Sequence, residues 1–301
     1  MSHFLTALET AQTTAGTLFA LVDPAQDRRL PDVLVSNASQ VVCLFEDAGT
    51  DVKAVAPHLV MIEQANRLNA MAWLDRHAPH IPCATLLASP LSLAELCKHL
   101  ADFLQVTLAD RTEMVLAFWD PMILAALVGA PEDPTLHVTG PVFSETQRSV
   151  FLAPVSSWWY WDRAGRLQFL NPDARAASRD PDASILPLTF DQRQVDLIVE
   201  ASVPDSVLHY IRLNQPGLLT RLPHGQQYAF IRTQIATARE YGIEGTGDLV
   251  NYCCLALALG EAFAIWPAVA ALLARVKAKE LSFDDFMAEL PAVLSQSDAS
   301  V

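Results

Sequence analysis

Apolar and polar positions along the chain fall into two textures. Up to about residue 120, short β-favouring runs alternate with segments of helical period. The runs Leu18–Val22, Gln40–Phe45, Leu59–Ile62, Thr85–Ala88 and Met114–Trp119 read as strands. Helical candidates lie at Gln26–Asn37, Gln64–His77 and Leu93–Phe103, with another after Pro121. Ser92 followed by Glu95 is the signature of a capping box at the start of the third. Alternation of this kind predicts an α/β N-terminal lobe with a mixed, partly parallel sheet and flanking helices.

From Gly129 to Asp182 the texture changes to turns, with Pro131, Pro134, Pro141, Pro154, Pro172 and Pro181. After Pro187 it is helical to the end, predicting an all-α C-terminal lobe. Thr189 is a candidate cap for a helix over Asp191–Ala201, and Pro204 fits the first turn of the next. Gln226–Tyr241 reads as a long helix stopped by Gly242. Thr246 is placed to cap an apolar helix ending at Gly260, and Pro267 to open another through Lys277. Ser282 with Asp285 marks a last helix through Leu290, and the tail from Ser295 to Val301 is expected to fray. The lobes are drawn at residues 1–182 and 183–301.

One phrase occurs twice: an apolar run, Asp-Pro, then a helix-like stretch. The copies end in Val22-Asp23-Pro24 and Trp119-Asp120-Pro121. An aspartate there can take free N–H groups of the following turn, and proline at the first helical position loses no hydrogen bond. Asp23, Pro24, Asp120 and Pro121 therefore read as structural helix caps.

Between the lobes lies Ser157-Trp158-Trp159-Tyr160-Trp161, a turn ending in Gly165, and Leu167–Leu170, which together form a hairpin. Strand alternation puts Trp158 and Tyr160 on one face, Trp159 and Trp161 on the other. One face packs on the α/β lobe. The other is covered either by the chain's own helices or by a partner, since exposed aromatic clusters are typical interface anchors.

Composition narrows the function classes. The chain has 301 residues, 51% of them apolar, enough for a packed core. A net charge of -14 argues against nucleic acid and against an anionic membrane surface. The five cysteines (Cys43, Cys83, Cys97, Cys253 and Cys254) show no metal or disulfide spacing and suit reduced, buried thiols in the cytoplasm. Met1–Thr14 carries no signal-peptide pattern. Leu249–Val276, the most membrane-like stretch, is interrupted by Asn251, Gly260, Glu261 and Pro267 and reads as two buried helices.

Catalytic signatures are absent: no phosphate loop, no dinucleotide fingerprint, no nucleophile elbow, no H-E-x-x-H. His77 and His80 lack a completing carboxylate, and His58 and His99 read as structural. The one enzymatic alternative is a metal-dependent phosphoester hydrolase or phosphotransferase built on Asp23, Asp47 and Asp120, with Glu46 and Ser89 at neighbouring strand ends. Beyond it no catalytic residue, metal or cofactor is called for.

The ordered set of phrases resembles a known family. Phe19–Pro24, Val42–Phe45, Ala56–Val60, Leu86–Ser89, Leu93-x-x-Leu96-x-x-His99-Leu100, Phe118–Leu124 and Gly140–Val142 occur in the order seen in the type VI secretion adaptors, long catalogued as a domain of unknown function. A weaker echo continues through Tyr241–Ile243, Asp248-Leu249 and Gly260–Pro267. The family often has an arginine on each side of the second Asp-Pro, where this chain has Ala117 and Met122. The resemblance implies a cytoplasmic, non-catalytic chaperone that binds an effector toxin and helps load it onto the spike protein. On that reading an effector segment docks between the lobes, against the outward members of Trp158, Trp159, Tyr160 and Trp161.

Overall fold

The computed structural model describes residues 16–35, 40–170 and 185–298. The expectations for Met1–Thr14, for Pro172, Pro181 and Asp182, and for the last three residues lie outside them. The chain divides into two compact units, Met1–Ala201 and Ser202–Val301.

In the first unit the strands are β1 (Thr17–Val22), β2 (Val41–Cys43), β3 (His58–Met61), β4 (Ala84–Ser89), β5 (Gln105–Thr107), β6 (Glu113–Val115), β7 (Ser157–Trp161) and β8 (Leu167–Leu170). The helices are α1 (Thr50–Lys53), α2 (Arg67–His77), α3 (Leu93–Ala101), α4 (Pro121–Val128) and α5 (Glu145–Leu152). Six strands form one sheet in the order β2-β3-β1-β4-β7-β8, and β5 pairs with β6 apart from it.

The expected α/β lobe is present, but its ladders are not partly parallel. Every strand pair in both sheets is antiparallel. The one parallel contact among the described residues is an isolated bridge from Thr107 to Thr189. The helix-like crossovers do return the chain in the same direction, from β3 through α2 to β4. β1, however, lies between those two strands and pairs antiparallel with each.

The sheet is also buried on both faces, which gives its strands the continuous apolar character usual in parallel sheets. One face carries Phe19, Leu21, Leu59, Leu87, Trp158 and Tyr160, and packs with residues of α3, α4 and α5. The other carries Leu18, Ala20, Val60, Leu86, Trp159 and Trp161, and packs with Ala70, Met71 and Leu74 of α2.

Several local expectations hold. Ser92 caps α3 in a full capping box with Glu95. Others move. The run Met114–Trp119 gives only the short β6, outside the main sheet. Val22-Asp23-Pro24 leads into turns and a 3-10 helix at Asp32–Leu34, so the α-helix expected from Gln26 does not form.

The helix α6 runs unbroken over Gln192–Asn214 with Pro204 inside it. Its cap is Asp191, whose Oδ1 accepts the Gln194 N–H at 2.8 Å while Gln194 Oε1 accepts the Asp191 N–H. Thr189 instead turns its carbonyl to Gln147 Nε2. Leu188, Phe190 and the first turns of α6 belong to the first core, so the unit boundary falls within the helix rather than at 182/183.

The second unit is all helical beyond that point: α7 (Pro216–Leu219), α8 (His224–Glu240), α9 (Thr246–Leu259), α10 (Pro267–Lys277) and α11 (Phe283–Asp298). Tyr252, Cys253, Ile231, Phe263, Leu273 and Phe286 lie in its core. Gly242 and Gly260 end helices at φ +77° and +105°, a backbone that glycine adopts readily. Gly245 caps α9 without a side-chain bond, in place of the expected Thr246. Among the described residues no helix is long and apolar enough to cross a membrane.

Candidate functional site

The strand-end corner after β1 is built around Asp23, which is buried. Its Oδ1 accepts the Ala25 N–H at 2.9 Å, the Asx turn open to any aspartate two residues before a free amide. The side chains of Gln26 and Trp119 also donate to this carboxylate. Burial pushes the Asp23 carboxyl above its ordinary value, and these hydrogen bonds pull only partly the other way. Trp119 stands edge-on to Phe45 at 6.0 Å and to Phe118 at 5.9 Å. The two Asp-Pro phrases are thus joined, the residue before Asp120 holding the aspartate of the first copy.

Asp120 caps α4 as expected. Its Oδ1 accepts the N–H of Met122 at 2.8 Å and of Ile123 at 3.2 Å, with Pro121 at the first helical position. Ala117 offers its carbonyl to the Asp120 N–H, and Met122 packs against the first core.

A third Asp-Pro escaped the sequence reading. Asp133, also buried, accepts the Thr135 N–H at 2.8 Å and hydroxyl at 2.6 Å, and the Tyr160 hydroxyl at 2.9 Å. The Asp-Pro dipeptide itself was the signal that could have found it.

The matched family is a domain of unknown function. A model described as Domain of unknown function (DUF4123) matches residues 18–137. The match runs from β1 through Asp23, Trp119 and Asp120 to the Asp133 turn. β7, β8 and the second unit lie beyond it. No curated protein and no solved structure matches the chain.

The aromatic strand is corrected by burial. Trp158, Trp159, Tyr160 and Trp161 are exposed by only 0%, 3%, 0% and 4%, so none is an outward anchor in this chain. Their division between the two faces is as expected, but each face is covered by the unit's own helices. Two of their polar tips are satisfied inside: Trp158 Nε1 donates to Thr85 Oγ1 at 3.0 Å, and the Tyr160 hydroxyl to Asp133. The hairpin aromatic left open is Phe169 on β8, at 51% exposure, its ring 5.8 Å from that of Trp159.

The acids named for a metal do not converge. Asp23 and Asp120 spend their oxygens on backbone and side-chain donors, while Asp47 is exposed. Among the described residues no group of three or more His, Cys, Asp or Glu could hold a metal ion. Ser89 turns its hydroxyl to the Pro154 carbonyl.

The thiols are not activated either. Burial raises Cys83 to about 12 and Cys97 to about 11, and it pushes Cys43, Cys253 and Cys254 upward as well. His58 and His99 are held below the usual histidine value by burial and bond to backbone carbonyls of Ala56 and Phe151. These groups suit a packed scaffold better than acid–base or nucleophilic chemistry.

Proposed function

We propose that this chain is a non-catalytic adaptor that binds a type VI secretion effector and helps load it onto the spike protein in the cytoplasm. The observation that carries the reading is the match of residues 18–137 to a domain of unknown function, over the stretch that holds most of the adaptor-like phrases. The site chemistry supports it. The conspicuous aspartates serve the backbone, and burial pushes the thiols upward, away from the reactive form.

The interior place of Trp158, Trp159, Tyr160 and Trp161 moves the contact surface elsewhere. Phe169 inherits the role, as an open aromatic on the strand that ends the sheet order. Co-expression with a candidate effector toxin tests the reading. A complex that survives size-exclusion chromatography, and is weakened by Phe169→Ser, is the expected result. A toxin that elutes separately from the wild-type chain, at micromolar concentration and moderate salt, overturns it.

A further inference from the structure

The main sheet ends differently at its two edges. At β2 the Leu44 N–H bonds to the Pro57 carbonyl, and the register turns the groups of Cys43 outward. That outward carbonyl takes the Cys97 thiol at 3.9 Å, so α3 stands over this edge. β8 at the other end is Leu167-Gln168-Phe169-Leu170, with no charge, no proline and no glycine. Charged residues, proline and bulges are the usual guards of an open edge, and β8 carries none of the first two.

The ladder fixes which groups that edge offers. The Asp162 N–H bonds to the Arg166 carbonyl, and bonded pairs recur at every second position of an antiparallel ladder. Tyr160 stands opposite Gln168 and Trp158 opposite Leu170, so Gln168 and Leu170 bond inward to β7. Leu167 and Phe169 turn their N–H and C=O outward. Among the described residues no hydrogen bond reaches those outward groups. Their side chains share the face of Trp159 and Trp161, with Leu167 half-buried and Phe169 open. Bare backbone and the open aromatic thus fall on the same short stretch.

A second β8 fits this edge position by position. Run antiparallel about a two-fold axis at Gln168, it sets Leu167 of each copy opposite Phe169 of the other. Both are outward residues, so each such pair exchanges its N–H and C=O groups in full. On one face each Phe169 ring covers the other copy's Leu167, and on the opposite face Gln168 meets its own copy. Arg166 falls opposite Leu170, so no like charges face each other. Sliding the register by two residues leaves only one outward pair within β8. We infer that the free chain self-associates through β8, two copies forming one continuous antiparallel sheet. A closed two-fold contact needs only this one surface, and its small size makes it weak and reversible. The inference does not rest on the adaptor reading; an effector that uses Phe169 has to part the two copies first.

Sedimentation velocity of the full-length chain alone, from low to high micromolar concentration, tests it. A reversible monomer–dimer equilibrium is expected. Phe169→Ser is expected to weaken it by about tenfold, because both cross-strand pairs lose their ring at once. Gln168→Cys reads the axis itself. Facing residues at a non-bonded antiparallel position stand about 4.5 Å apart at Cα, within reach of a disulfide. Oxidised glutathione is expected to lock this variant as a covalent dimer, and to lock Phe169→Cys far less. A wild-type chain that stays monomeric throughout overturns the inference. So does a dimer of unchanged strength in Phe169→Ser, or a covalent yield in Gln168→Cys no greater than in wild type or Phe169→Cys. Any of these results leaves the adaptor reading standing, since no effector is present.

Discussion

Asp23-Pro24 and Asp120-Pro121 begin with the same local geometry and end in different structures. In each, the aspartate Oδ1 takes the N–H two residues on, at 2.9 Å from Ala25 and 2.8 Å from Met122. Asp133-Pro134 does so as well, with Thr135 at 2.8 Å. After Pro121 come seven apolar residues with no second breaker, Oδ1 also takes the Ile123 N–H, and α4 follows. After Pro24, Asp27 opens a competing turn by accepting the Arg29 N–H, and Pro31 arrives before a helix can establish itself. The dipeptide specifies a turn. The four to seven residues after it decide whether the turn becomes a helix.

The largest expected difference between the copies is in what depends on the carboxylate. Asp23→Ala removes the acceptor of the Ala25 N–H and of the half-buried Trp119 side chain, and it should lower unfolding free energy by about 1–2 kcal/mol in urea titration. Trp119→Phe removes one donor to that carboxylate and should cost about 0.5–1 kcal/mol. The double variant Asp23→Ala/Trp119→Phe should then show coupling of at least about 0.5 kcal/mol, whereas additive losses would mean that the phrases are not joined.

Asp120→Ala is a cap deletion and should cost about 1 kcal/mol, while Asp120→Asn, which caps equally well, should stay within a few tenths. The smallest effect is on pH dependence. The folded Asp23 carboxyl lies above its ordinary 3.8, so its contribution to stability is in place below that pH and is lost as pH rises through the raised folded value. Asp27 has the opposite sign, because its hydrogen bonds from Arg29 hold it low. Its contribution is in place above 3.8 and is lost as acid carries pH down through the lowered folded value. Against rising pH, wild type should therefore lose stability relative to Asp23→Asn and gain it relative to Asp27→Asn.

The strands of the first unit other than β5 were legible because their apolar runs are short and bounded by turn residues. The two faces of Trp158–Trp161 were legible because strand alternation is exact in period. Their burial was not, since the pattern of one strand says nothing of what covers it. The pairing direction was misread for the same reason: sheets buried on both faces lose the polar alternation that marks antiparallel strands. Pro204 was placed at a helix start because a proline inside a helix costs about 3 kcal/mol. Here Val207, Leu208 and Ile211 continue the helix into the second core, and the packing outweighs that cost. Trp119 and Asp133 were missed because their roles come from neighbours 96 and 27 positions away, at Asp23 and Tyr160.

The strand that holds the middle of the sheet is also the earliest described strand to be translated. β1 meets its neighbours only later, Phe19 opposite Met61 and Thr17 opposite Ser89. A nascent chain therefore leaves the ribosome with Leu18–Val22 bare along both hydrogen-bonding sides until β3 and β4 have emerged. During that interval the run is an apolar template for strangers, and yield in the cell should track how quickly residues 23–89 are synthesised or how well a holdase shields the run meanwhile.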